Sequence, residues 1–175
     1  MSFGEPSKFR KYTPLVAVLF LLGGVVYAVR SLGVNTGYAP EQPIPFSHRL
    51  HAGENQIPCL YCHANADKGR HATVPSMNVC MNCHSVVAND KPTIQTLKKY
   101  YEEGRSIEWI RVHDLPDFVY FSHRWHVAKG VQCQTCHGKV EAMERIEQMQ
   151  PLTMGWCVDC HRAKEASIEC GTCHQ

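Results

Sequence analysis

CQTCH, residues Cys133 to His137, decides how this chain folds, because the same pattern occurs five times. The other copies run Cys59 to His63, Cys80 to His84, Cys157 to His161 and Cys170 to His174. All ten cysteines of the 175-residue chain fall in these strings, and none is left over. A bare C-x-x-C pair reads as a zinc ribbon or knuckle, a dithiol redox centre or a disulfide of a secreted domain. None of these accounts for a histidine directly after the second cysteine every time. With 11 histidines in 175 residues, one follows a given pair about 6% of the time, so five in five is roughly a one-in-a-million coincidence unless the string attaches a c-type haem.

The spacing has a chemical reason. Two thiols three residues apart reach the two vinyl groups of one porphyrin and fix it by thioethers, and the adjacent imidazole then falls under the iron as proximal ligand. The strings predict five covalently attached haems c, held by Cys59 and Cys62, Cys80 and Cys83, Cys133 and Cys136, Cys157 and Cys160, and Cys170 and Cys173. His63, His84, His137, His161 and His174 are the expected proximal ligands.

Five haems on so short a chain restrict its fold. With the N-terminal segment set aside, fewer than about 30 residues remain per string, too few for an ordinary layered apolar core. The expected fold is mostly irregular and small all-α, with short helices near the attachment strings and long stretches wrapped on the macrocycles. The formal charge of +2 falls to roughly −8 if each haem brings two ionised propionates. Basic patches then serve propionates, and nucleic acid is not an expected partner.

The N-terminal segment is of another kind. Thr13 to Val29, TPLVAVLFLLGGVVYAV, is an uncharged run at the lower length limit for a membrane-spanning helix. Lys8, Arg10 and Lys11 precede it, so the positive-inside rule puts residues 1–12 in the cytoplasm and the haem region across the membrane. A cleaved signal peptide, with Val26-Tyr27-Ala28 at the cut, is the competing reading. Residues 13–30 are read as a single transmembrane anchor, with Gly23-Gly24 as a close-packing spot for a neighbouring helix. Residues 31–45, rich in Gly and Pro, read as a linker to a pentahaem domain over 46–175.

Within that domain an order of parts recurs. FSHRLH (Phe46 to His51) leads to the Cys59 string, Pro75, Met77 and the Cys80 string; FSHRWH (Phe121 to His126) leads to the Cys133 string, Pro151, Met154 and the Cys157 string. This points to duplicated dihaem units, 46–90 and 121–162, with a spacer over 91–120 and a fifth haem appended over 163–175. In the spacer, Pro92 to Glu103 reads as an amphipathic helix with Ile94, Leu97 and Tyr101 on one face and Gly104 ending it. Glu141 to Gln148 carries a weaker helical pattern, and Ile107 to Phe121 has no period.

Five irons need sixth ligands, and six histidines lie outside the strings: His48, His51, His71, His113, His123 and His126. An isolated histidine is more often a surface or core residue than a ligand, but pairs repeated ahead of attachment strings reverse that expectation. One histidine of each pair is expected to ligate the haem just downstream and the other a different haem. His71 is the expected spare. Met77, Met143 and Met154 are competing ligands, each more simply read as apolar packing against a porphyrin face.

The order FSH-x-x-H, C-x-x-C-H and P-x-x-M-G-W-C-x-x-C-H resembles class III multihaem cytochromes. More narrowly, IPFSHRLHAGENQIPCLYCH, VCMNCHSVV, IRVHDLPDFVYFSHRWHVAKGVQCQTCHGKV and PLTMGWCVDCHR resemble the pentahaem, membrane-anchored cytochrome subunit of bacterial alternative complex III, over most of residues 44–162. That resemblance implies a bacterial inner-membrane, single-pass subunit with a periplasmic haem domain. It implies an iron–sulfur subunit and polytopic quinol-binding subunits as partners, and a cytochrome or copper protein, or an oxidase, as electron acceptor. It also implies His113, in the R-V-H-x-L-P-D-F string, as a ligand in preference to His71. Two other functions stay open. A multihaem reductase would need an open iron; no C-x-x-C-K string is present, and distal candidates are at least as numerous as haems. A self-contained quinol dehydrogenase would need a proton acceptor near residues 30–45, where Glu41 is the lone candidate.

Overall fold

The computed structural model describes residues 8–31 and 34–175, with side chains over 12–29 and 34–175. Most of the N-terminal tail expected over 1–12, and residues 31–33 of the linker, therefore lie outside the described residues or their side chains. The chain divides into two compact units, 1–34 and 35–175.

The first unit holds helix α1, Lys8–Ser31. Its window Tyr12–Val29 has a mean hydropathy of 2.0 and no residue buried within the protein. At 1.5 Å per residue it is about 27 Å long, enough by length and composition to cross a membrane.

The second unit contains no strand among the described residues. Its helices are short: α2 (Cys59–Cys62), α3 (Met77–His84), α4 (Pro92–Glu102), α5 (His123–Ala128), α6 (Cys133–His137), α7 (Met154–Ala163) and α8 (Cys170–Cys173). A π-helical turn spans Arg49–Glu54 and a 3₁₀ turn spans Val140–Ala142. Every attachment string thus sits on a helical turn, where two cysteines three apart project from one side. In α7 the Thr153 hydroxyl accepts from the Trp156 amide (3.4 Å) and so caps the helix.

Among the described residues, the apolar ones buried by protein alone are Ile44, Ala66, Leu97, Val112 and Leu152. Large side chains such as Phe118 (85% exposed) and Trp125 (63%) are not among them. Five small contacts do not make a core for 141 residues, as the scarcity of residues per string anticipated.

Helix α4 agrees with the amphipathic pattern: Pro92 is in its first turn, Leu97 is buried, and Gly104 follows with φ 64°. Tyr101 differs, being 42% exposed, while Ile94 and Leu97 face inward. The stretch Ile107 to Phe121 is irregular, as read.

Two expectations are corrected. Glu141 to Gln148 is not helical beyond the 3₁₀ turn, because the Gln148 backbone is engaged elsewhere: its carbonyl accepts from Gly37 (2.9 Å) and its amide donates to Tyr38 (3.1 Å). Those bonds also remove residues from Asn35 onward from the role of free linker. Gln42 reinforces this by donating to the Ile110 carbonyl (3.0 Å) and accepting from the Ile110 amide (2.8 Å), and Ile44 is buried.

Candidate cofactor-binding site

The two FSH-x-x-H hexapeptides build the same local object. Phe46 meets His48 edge-on (4.9 Å, 82°) and lies against His51 (4.4 Å, 21°); Phe121 meets His123 edge-on (4.8 Å, 85°) and lies against His126 (4.5 Å, 33°). The phenylalanine is a wedge that fixes two imidazoles at different angles. The helical turn then brings Nδ1 of the second histidine to the serine carbonyl four residues back, His51 to Ser47 (2.8 Å) and His126 to Ser122 (2.9 Å).

That anchoring extends to most of the histidines. Nδ1 of His63 bonds the Thr73 carbonyl (2.6 Å), His84 that of Val87 (3.2 Å), His123 that of Arg70 (3.0 Å), His161 that of Ser167 (2.6 Å) and His174 that of Phe118 (2.9 Å). A carbonyl only accepts, so each Nδ1 carries the proton and each Nε2 keeps a lone pair. This is the state and orientation that metal-ligating imidazoles require. The acceptor carbonyls were invisible in the sequence, because a backbone oxygen has no residue signature; only Ser47 and Ser122 were marked, by the repeat.

Three pairs of rings face each other at one spacing: His51 with His84 (6.1 Å between centres), His126 with His161 (6.1 Å) and His123 with His137 (6.3 Å, parallel within 6°). Two imidazoles on opposite sides of one metal, with bonds of about 2 Å, would have centres about 6.4 Å apart. His113 is placed differently. Its Nε2 is 3.1 Å from Nδ1 of His137, with the rings edge-on at 4.4 Å. The ring of His71 makes no hydrogen bond or ring contact among the described residues. Met154 is 63% exposed, and the Met143 carbonyl is occupied by the Arg49 amide.

His51, His123, His126 and His137 line a continuous, mainly apolar-lined cavity of about 2320 Å³, more than twice the roughly 1,000 Å³ upper end for single-ligand pockets. Burial there holds His48 and His137 neutral, each with its pKa lowered to about 4, chiefly by desolvation and then by neighbouring imidazoles. Burial pushes the Cys62, Cys80, Cys133, Cys136 and Cys157 thiols up.

The residues present fit haem c. All ten cysteines are free thiols. The buried Nδ1 of His48 has no hydrogen-bond partner, a costly condition that a ligand beside it would relieve. The apolar cavity is large enough for more than one macrocycle.

Comparison with known proteins agrees. Residues 119–175 match the family described as cytochrome c7 and related cytochrome c. The chain is also 36% identical, over 162 aligned residues covering 77% of each protein, to the menaquinone reductase multiheme cytochrome c subunit of Nitratidesulfovibrio vulgaris (strain Hildenborough). With its attachment strings on helical turns and its imidazoles anchored through Nδ1, the chain belongs to the multihaem cytochromes c, in the family of that subunit, and so carries covalently bound haem c.

Proposed function

We propose that the protein is the electron-transfer subunit of a membrane-bound, quinone-reacting complex, carrying five haems c and acting with an iron–sulfur subunit and polytopic membrane subunits. The observation that carries this reading is the seven imidazoles fixed through Nδ1 to backbone carbonyls. Such rings hold a metal in one geometry, which suits fast electron exchange.

Haem c, when bound, supplies a one-electron couple whose potential the axial ligands set. The cysteine pairs would hold each group, and His63, His84, His137, His161 and His174 would be its proximal ligands. His51 and His126 are assigned opposite His84 and His161, and His123 opposite His137, from their ring spacing. His48 is assigned to the His63 site, the first attachment string downstream of its hexapeptide. His113 is taken as a further distal ligand in preference to His71, which is left as the spare. The matching Phe–His geometry of the two hexapeptides supports duplicated dihaem units with a fifth haem appended. Helix α1 is read as a single membrane anchor, with the haem domain in the periplasm.

The finer reading is a quinol-oxidising complex of the alternative complex III kind, passing electrons to a periplasmic carrier or oxidase. The relative's name, a menaquinone reductase, favours the opposite direction as a second reading. Both make the chain a relay without a quinone pocket of its own, since a single anchor helix cannot enclose one without neighbours.

Purified alone in detergent, the protein should be reduced by a small soluble donor and reoxidised by a small cytochrome, yet stay oxidised with a menaquinol analogue. Adding the membrane partners then gives the direction: menaquinol-driven reduction supports the quinol-oxidising complex, and donor-driven menaquinone reduction the other. Steady, inhibitor-sensitive quinol oxidation by the lone chain would replace the relay with a self-contained quinol dehydrogenase.

A further inference from the structure

The order of the five strings along the chain is not their order in space. The cavity is lined by both cysteines of the first and third strings, Cys59, Cys62, Cys133 and Cys136. Only Cys80 of the second and Cys157 of the fourth reach it, and no cysteine of the fifth does. The first and third strings are therefore its centre.

A reciprocal brace puts them there. The Arg49 amide, in the first hexapeptide, donates to the carbonyl of Met143, six residues past His137 (2.9 Å). The Arg124 amide, at the same place in the second, donates to the carbonyl of Gly69, six residues past His63 (3.1 Å). Each hexapeptide is thus held by the loop that follows the other half's leading string, and the two leading strings are drawn together.

The outer neighbours follow from side chains. Asn82 of the second string donates to the Tyr61 hydroxyl of the first (3.0 Å). His126, whose carbonyl accepts from Val131 just ahead of the third string (3.0 Å), faces His161 of the fourth. Ser167 accepts from Nδ1 of His161 through its carbonyl (2.6 Å), and its hydroxyl meets Thr172 of the fifth string (2.8 Å).

We propose that the attachment sites stand in single file in the order second, first, third, fourth, fifth, with the Cys80 and Cys170 strings at the two ends. This rests on the reading that every string holds a haem. It makes the ends of the file the places where outside redox partners dock.

The test uses the full haem-loaded chain in detergent with His51→Met and His126→Met. A methionine ligand raises the potential of its haem, so at an intermediate poise that site alone is reduced and diamagnetic. The proton NMR resonances of haem methyls on adjacent haems then shift. Single file predicts that one other haem shifts in His51→Met and two in His126→Met. Two shifted haems in His51→Met, or one in His126→Met, overturns the order. A potential that does not rise would count against the ligand assignment and not the order, which is read independently in the unmodified, fully reduced chain. There, nuclear Overhauser contacts should join the four adjacent pairs, and a contact between the haems of the second and fourth strings would overturn it.

Discussion

The imidazoles of His51 and His84 face each other with ring centres 6.1 Å apart, 33 positions apart in the sequence, and the next attachment string lies between them. His126 and His161 repeat the relationship at the same distance. The second histidine of each hexapeptide therefore passes over the nearest string. His51→Ala and His126→Ala should each convert one haem to the high-spin ferric form and the double variant two, against an all-low-spin unmodified protein. Electron paramagnetic resonance reads the count, and an unchanged low-spin spectrum in either single variant would contradict the assignment.

His113 and His71 should behave differently. His113 lies in the central group against His137, and burial there lowers its pKa, whereas the ring of His71 makes no ring contact or hydrogen bond among the described residues. His113→Ala should give one high-spin haem and His71→Ala none. The reverse pattern would make His71 the ligand.

Gly53, two residues past the first hexapeptide, lies against the backbone of Glu141 in the other half. A methyl group there would run into the backbone carbonyl of Glu141, which cannot retreat as a flexible side chain would. Gly53→Ala should cost about 1–3 kcal/mol and lower the melting temperature by several degrees. Gly155, with open space around its Cβ direction, is the control, and Gly155→Ala should change stability by no more than about 1 kcal/mol.

Gln148 is 1% exposed and joins three segments: its backbone pairs with residues 37–38, its Oε1 accepts from the Asp114 amide (2.9 Å) and its Nε2 donates to the Gln150 carbonyl (3.1 Å). Gln148→Leu leaves both partners unsatisfied and should cost about 1–3 kcal/mol for each buried group stranded. Hydrogen exchange at Asp114 should quicken. An unaltered melting curve would show that water replaces the side chain.

Deleting residues 1–30 and supplying a cleavable signal should yield a soluble, fully haem-loaded protein. Residues 1–34 and 35–175 are separate compact units, and no residue of the apolar window Tyr12–Val29 is buried within the protein. Absorbance per mole of protein checks the haem content. An apo or aggregated product under good maturation conditions would mean that the helix is needed by the domain.

The sequence by itself determined the chemistry. Cysteine and histidine side chains are the reacting groups, so their spacing states the cofactor directly, and the shortage of residues per string by itself excludes an ordinary apolar core. Helix α4 and the irregular stretch before Phe121 were legible for a local reason, a clear apolar period in one and none in the other. What only the tertiary structure decided rests on contacts between distant parts of the chain. The helical pattern over Glu141 to Gln148 failed because the Gln148 backbone is bonded to residues 37–38, more than 100 positions away, and the expected linker was drawn into the haem domain by the same bonds. Which histidine faces which, and the crossing that sets Arg49 on Met143 and Arg124 on Gly69, depend on backbone carbonyls as acceptors. Every residue carries that group, so no sequence pattern marks the ones that are used.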